Sequence, residues 1–90
     1  MRSRLDAIFK KKVVEILLAL KEKPMCVREL HERIGGNVGT VLRRLDELVE
    51  AGIIVEERSQ EFPFKRVFAL TVRGKNIVGL IAFIKEFLEV

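Results

Sequence analysis

Apolar and polar positions follow a helical period through three successive stretches, alternate briefly, and return to a helical period in the last one. Leu5, Ile8, Phe9, Val13, Ile16, Leu17 and Leu20 recur at helical spacing with lysines between them. This predicts a long amphipathic helix from the start of the chain to Pro24, which ends it. Pro24, Met25 and Cys26 read as a short extended connector. Val27, Leu30 and Ile34 then predict a second, short helix. Cys26 stands where Ser or Thr often caps, and Glu29 is placed to complete a capping box. Gly35 and Gly36 break the chain sharply before a third periodic stretch.

That third stretch, residues 37–52, organises the rest. Val41, Leu45, Leu48 and Val49 form one apolar stripe. Asn37 is a good N-cap, because its side-chain oxygen can accept from the free amides of the first turn. Gly52 is a good stop, since glycine tolerates the left-handed conformation that closes a helix. Thr40, Arg43 and Arg44 project from the first turns, and the acids Asp46, Glu47 and Glu50 come only afterwards. A helix whose N-terminal half is polar, cationic and free of acid suits entry into a DNA groove, N-terminus first. A short helix, a glycine turn and this helix together make a helix-turn-helix pattern.

After Gly52, Ile53, Ile54 and Val55 begin a strand, residues 59–63 form a loop, and residues 65–70 alternate back as a second strand. A hairpin in this place is a wing. Arg58, Ser59, Gln60, Lys65 and Arg66 lie toward its tip, within reach of a neighbouring groove or phosphate. Glu56, Glu57 and Glu61 oppose that role, because acids near phosphate weaken binding. The last helix starts at residues 71–74. Its apolar residues, among them Ile77, Leu80, Ile81, Phe83, Ile84, Phe87 and Leu88, cover more than the one face a small domain can bury. The surplus predicts a partner, most economically the same helix of a second copy, with burial inside the monomer as the alternative.

Composition narrows this picture without deciding it. Ninety residues, 49% of them hydrophobic, make one small domain whose core must be built from aliphatic residues and six Phe, as there is no Trp or Tyr. The net charge is +4, and the excess sits in residues 1–23; residues 24–52 carry −1, residues 53–70 carry 0 and residues 71–90 carry +1. Position of charge, rather than its sum, must therefore carry any case for nucleic acid. Lys10, Lys11 and Lys12 read first as a solvated face and second as a phosphate contact, and Arg2 and Arg4 form a possible short arm. Cys26 is the only cysteine, so no intrachain disulfide can form, and a cytoplasmic protein is expected. Asp6 and the lysine run interrupt any signal-peptide core, and the charge-free run at residues 76–84 is too short to span a membrane.

Three segments carry a family resemblance. They are Pro24-Met25-Cys26-Val27-Arg28-Glu29-Leu30, then Thr40-Val41-Leu42-Arg43-Arg44-Leu45-Asp46-Glu47-Leu48-Val49-Glu50-Ala51-Gly52-Ile53-Ile54, then Phe68-Ala69-Leu70-Thr71-Val72-Arg73-Gly74-Lys75. In this order and spacing the chain resembles a winged helix-turn-helix regulator of the MarR/ArsR-like kind. His31, where a small Ala is common, and the short acidic wing depart from that pattern. The resemblance implies a mainly α fold with a small antiparallel β-hairpin, ordered α-α-α-β-β-α. Residues 1–70 would form the winged domain and residues 71–90 a dimerisation helix. It further implies a homodimer that binds double-stranded DNA and controls transcription. Thr40, Arg43 and Arg44 lead as groove contacts, with Val38 or Leu42 against a thymine methyl. The N-terminus of the helix at Asn37, with Arg58, Lys65 and Arg66, would meet phosphates. Arg43 and Arg44 have an alternative as a solvated pair bridging to Glu47 or Glu50.

Other chemistry finds little footing. Gly35, Gly36 and Gly39 lack the following Lys and the preceding strand of a phosphate loop. One His and one Cys build no nucleophilic triad, so no enzyme is expected. Metal-sensing relatives are known among ArsR-like proteins, but Cys26 and His31 offer no second cluster, and neither metal nor cofactor is expected. Two other functions stay in view. One is a winged-helix module that binds protein rather than DNA, favoured by the near-neutral charge of residues 24–70. The other is a non-specific chromosome-binding protein.

Overall fold

In a computed structural model that describes residues 8–60 and 65–89, the elements run α1 (Val13–Glu22), β1 (Met25–Cys26), α2 (Val27–Ile34), α3 (Val38–Glu50), β2 (Ile54–Arg58), β3 (Arg66–Leu70) and α4 (Val72–Glu89). The expected order of helices and hairpin is present, with β1 added. The connector after Pro24 pairs antiparallel with β3, Met25 opposite Phe68 and Cys26 opposite Val67. The sheet order is therefore β1-β3-β2. β2 and β3 form the wing hairpin in the register Ile54 to Leu70 through Arg58 to Arg66. Leu5, Arg2, Arg4 and the loop residues Glu61 to Phe64 lie outside the described residues.

The predicted first helix is interrupted: Ile8 is helical, and residues 9–12 turn before α1. α1 begins at Val13, after Lys12 takes a left-handed conformation with φ 75°. Phe9, expected on the apolar stripe, is 77% exposed. The turn is fixed from outside: Lys10 pairs with Glu47 of α3, and the Lys11 carbonyl accepts from Arg44 Nε at 3.2 Å. Tertiary contacts to α3 thus outweigh the local preference to continue the helix.

The core fills the space between helices and sheet. Ile16 and Leu17 of α1, Leu30 of α2, Val41, Leu45 and Leu48 of α3 and Phe68 of β3 are all fully buried. Each such side chain contributes about 1.5–3 kcal/mol by leaving water. Val49, the fourth member of the expected α3 stripe, stays 36% exposed at its edge.

Two glycine positions set the geometry that follows. Gly52, at φ 76°, closes α3: its amide bonds the Val49 carbonyl, and the Ile53 amide bonds that of Leu48, both at 3.0 Å. This is a Schellman closure, and Ile53 and Leu48, both buried, make its accompanying apolar contact. Gly74, in the first turn of α4, lies so close to β2 that a Cβ there would stand 2.1 Å from the Ile53 carbonyl oxygen. Thr71 ties the same corner: its hydroxyl lies 2.8 Å from the Gly52 carbonyl and 2.9 Å from that of Ile53, and it accepts from the Gly74 amide at 3.1 Å.

Candidate nucleic-acid interface

α3 presents its solvent face beside the wing, and its start is built by Asn37. The Asn37 Oδ1 accepts from the Gly39 amide at 2.7 Å and from the Thr40 amide at 3.3 Å. A Cβ at Gly39 would stand 2.9 Å from that oxygen, so the absent side chain is what lets the cap close. No acid lies in the first turn. Val38 is 47% exposed, Arg43 is exposed, and Thr40 and Leu42 are half-buried on the flanks. Among the described residues, no hydrogen bond or ion pair holds Arg43. Asp46 and Glu50 stand exposed one and two turns further on.

Arg44 points elsewhere. Its Nη1 meets Glu47 Oε1 at 2.5 Å while its Nε donates to the Lys11 carbonyl, and the side chain is only 15% exposed. The other Glu47 oxygen takes Lys10. Lys10 first, and Arg44 after it, hold the Glu47 carboxyl below the usual range against a burial effect that raises it. The bridge weighed in the sequence as the alternative for Arg44 is thus formed, whereas Arg43 makes no such bridge. The lysine run, expected as a plain solvated face, instead seats α3 on the turn before α1.

His31 holds the turn of the helix-turn-helix. Its Nε2 lies 2.7 Å from the Gly36 carbonyl oxygen, so that nitrogen carries the proton and donates. Gly35 and Gly36 both adopt positive φ, 76° and 81°. The stem of Lys12 lies over Gly36, where a Cβ would be 3.1 Å from Lys12 Cε. Cys26 is buried at the start of α2, and Glu29 reaches back to its amide at 3.4 Å. That amide is the largest influence holding the Glu29 carboxyl low, with Lys23 adding to it. Cys26 and His31 therefore serve two ends of α2, and no cluster of metal-binding side chains occurs among the described residues.

On the wing, Arg66 forks Glu56, Nε to Oε2 and Nη2 to Oε1, both at 2.9 Å. It also lies 3.7 Å from Asp46 of α3, and its guanidinium sits 5.6 Å from the centre of the Phe68 ring. Glu56 is correspondingly held low, chiefly by Arg66, and Arg66 is held high by Glu56. Arg58 stands opposite Arg66 across the hairpin, and both it and Lys65 are exposed. Arg66 thus links the wing to α3. The residues that sequence reading missed here are His31, Lys10 and Lys11 as fasteners. Only the departure of His31 from the family pattern signalled any of them.

α1, the helix-turn-helix and the entry into β2 fall within one known pattern: the sequence profile described as bacterial regulatory protein, arsR family, matches residues 10–55. The chain belongs to the arsR family of bacterial regulatory proteins. It is accordingly a helix-turn-helix transcription regulator of the DNA-binding kind and not an enzyme. No curated protein sequence matches the chain. Solved structures extend the likeness of fold beyond residues 10–55. A MarR-family transcriptional regulator from Enterococcus faecalis V583 superposes with TM-score 0.86 at 21% identity, over 96% of this chain and 79% of its own. The redox regulator HypR, in reduced form, gives 0.84 at 22% identity over 94% and 85%. The reduced transcriptional regulator YodB from B. subtilis gives 0.83 at 21% identity over 92% and 82%. No helix among the described residues of this arsR-family chain is long and apolar enough to cross a membrane.

Proposed function

We propose that the protein acts in the cytoplasm as a homodimer that binds an inverted repeat in double-stranded DNA and thereby regulates transcription. The observation that carries this reading is the division of labour along α3. Arg44 is committed to Glu47 and Lys11, while Arg43 stands exposed in the acid-free N-terminal half with no ion pair or hydrogen bond among the described residues. Arg43 can bond two acceptors of one guanine, with Thr40 beside it and Val38 or Leu42 against a thymine methyl. Asn37, Arg58 and Lys65 face the phosphates, and Arg66 reaches them by exchanging Glu56.

Residues 71–90 supply the two-fold contact and residues 1–70 the winged domain. Leu80, Phe83, Ile84, Phe87 and Leu88 are 56–80% exposed on α4, a contiguous apolar strip that water disfavours. Ile77 and Ile81 are partly buried against the core and support the strip from behind. A two-fold pair would set two α3 helices about 34 Å apart, one DNA turn.

Selection from a random duplex library, followed by titration at two salt concentrations, tests the reading. An enriched inverted repeat is expected, and Arg43→Ala should relax one base pair of it by about 1–3 kcal/mol. Binding without enrichment would point to a chromosome-coating protein, and no binding at low salt to a protein-binding module. Phe87→Glu should turn a dimer into a monomer by light scattering; a wild-type monomer at micromolar concentration would remove the two-fold account.

A further inference from the structure

The turn at residues 9–12 brings a run of cations against α3. Lys10 is spent on Glu47, and Glu47 takes Arg44 with its other oxygen, so the acid that meets this turn is neutralised from two sides. Lys11 is exposed and Lys12 half-buried, and among the described residues no ion pair holds either ammonium. Backbone and packing fix their place instead. The Lys11 carbonyl accepts from Arg44 Nε at 3.2 Å. The stem of Lys12 lies over Gly36, where a Cβ would stand 3.1 Å from Lys12 Cε and 3.5 Å from its Nζ. Lys12 holds this position at φ 75°, a left-handed conformation that costs an L-residue and would not cost glycine.

The turn and the wing bracket α3 from opposite sides. A helix advances about 100° per residue. Arg43 therefore faces solvent between Asp46, which lies 3.7 Å from Arg66 of the wing, and Glu47, which takes Lys10. An α-helix with its side chains is about 10–12 Å across and fills a major groove about 12 Å wide. Whatever flanks α3 on either side then meets one of the two phosphate backbones that border the groove. The Lys12 ammonium also stands beside Gly36, one residue before the Asn37 cap and the positive end of α3. A cation there is unfavourable alone and favourable once an anion lies between. We propose that Lys11 and Lys12 form a second phosphate clamp, gripping the DNA strand that borders α3 on the side away from the wing. The clamp rests on the DNA reading and extends the contact surface to residues that precede α1.

Fluorescence anisotropy on the whole chain tests it, with a selected duplex and a mixed-sequence duplex of equal length at stepped salt concentrations. Each lysine that neutralises a phosphate contributes about 0.9 to the slope of log affinity against log salt. Lys11→Gln combined with Lys12→Gln should flatten that slope by about 1.8 per bound subunit. Both duplexes should weaken by the same factor, so that their ratio stays as it was, while a thermal melt shows the fold retained. Lys12→Gly, which the left-handed turn accepts, should flatten the slope by about 0.9. Lys21→Gln, in the last turn of α1, removes the same charge far from α3 and should leave the slope unchanged. A slope that the double substitution does not alter overturns the clamp and leaves the DNA reading standing, as does an equal loss in Lys21→Gln. A changed ratio between the duplexes would mean that the lysines act by shifting α3 against the bases, and would overturn the clamp too. No binding by the parent chain even at low salt removes the clamp together with the DNA reading.

Discussion

Gly74→Ala offers a sharp test of how α4 is docked. The new Cβ would stand 2.1 Å from the Ile53 carbonyl oxygen, and ordinary contact begins near 3.4 Å, so backbone must move by more than 1 Å. The carbonyl is not free to yield, because it accepts from the Thr71 amide at 3.1 Å and lies 2.9 Å from the Thr71 hydroxyl. Overpacking of this kind costs about 1–3 kcal/mol. Loss of one or both hydrogen bonds adds about 0.5–1.5 kcal/mol each. The better helix propensity of alanine returns at most about 1 kcal/mol. The net expectation is a loss of about 3 kcal/mol. Urea unfolding at one fixed protein concentration reads it, with Gly79→Ala as the internal control. That second change meets nothing within 4 Å and should be neutral or stabilising by up to about 1 kcal/mol. A Gly74→Ala protein as stable as its parent would refute the close approach of α4 to Ile53.

Three further outcomes follow from particular contacts. Asn37→Ala should cost about 1 kcal/mol through loss of the α3 cap, and a circular-dichroism melt unchanged by it would sink the cap. Glu29, Glu47 and Glu56 all have folded pKa values below the ordinary 4.5, so their contribution is complete above that pH and is lost as pH falls through the folded values. The urea midpoint should therefore drop on acidification below about pH 4.5, less steeply in Glu47→Gln; a flat acid limb in the parent would contradict the pairing. Lys12→Gly relieves a left-handed turn worth about 1 kcal/mol and should raise the melting temperature, and a clear fall would mean that the Lys12 stem over Gly36 matters more than its backbone.

Much of this was legible in the chain because it is local. The Val41, Leu45 and Leu48 stripe, the Asn37 cap and the Gly52 stop each depend on residues within a turn or two of one another. What sequence misplaced depends on distance. The periodicity of Ile8, Phe9 and Val13 carries no mark of the turn at Lys12, because that turn is set by Glu47 and Arg44, more than thirty positions away. Arg43 and Arg44 are equivalent in a string of letters and differ in the fold, since only one faces Lys11. A strand as short as Met25 and Cys26 has no period, and only its partner β3 defines it. Gly74 was readable as part of a corner, but its necessity comes from the carbonyl of Ile53 across the packing.

The placing of β1 bears on the order in which the molecule assembles. β2 and β3 are joined by a short hairpin, whereas Met25 pairs with Phe68 across the whole of the helix-turn-helix and half the wing. Closing so long a segment costs more chain entropy than closing the hairpin, so the hairpin has the head start. On loop-closure entropy alone the pairing of β1 with β3 is expected to follow the hairpin, with α2 and α3 in the loop it closes. β1 thereby fastens the root of the wing to the start of α2, so the two halves of the molecule share one sheet.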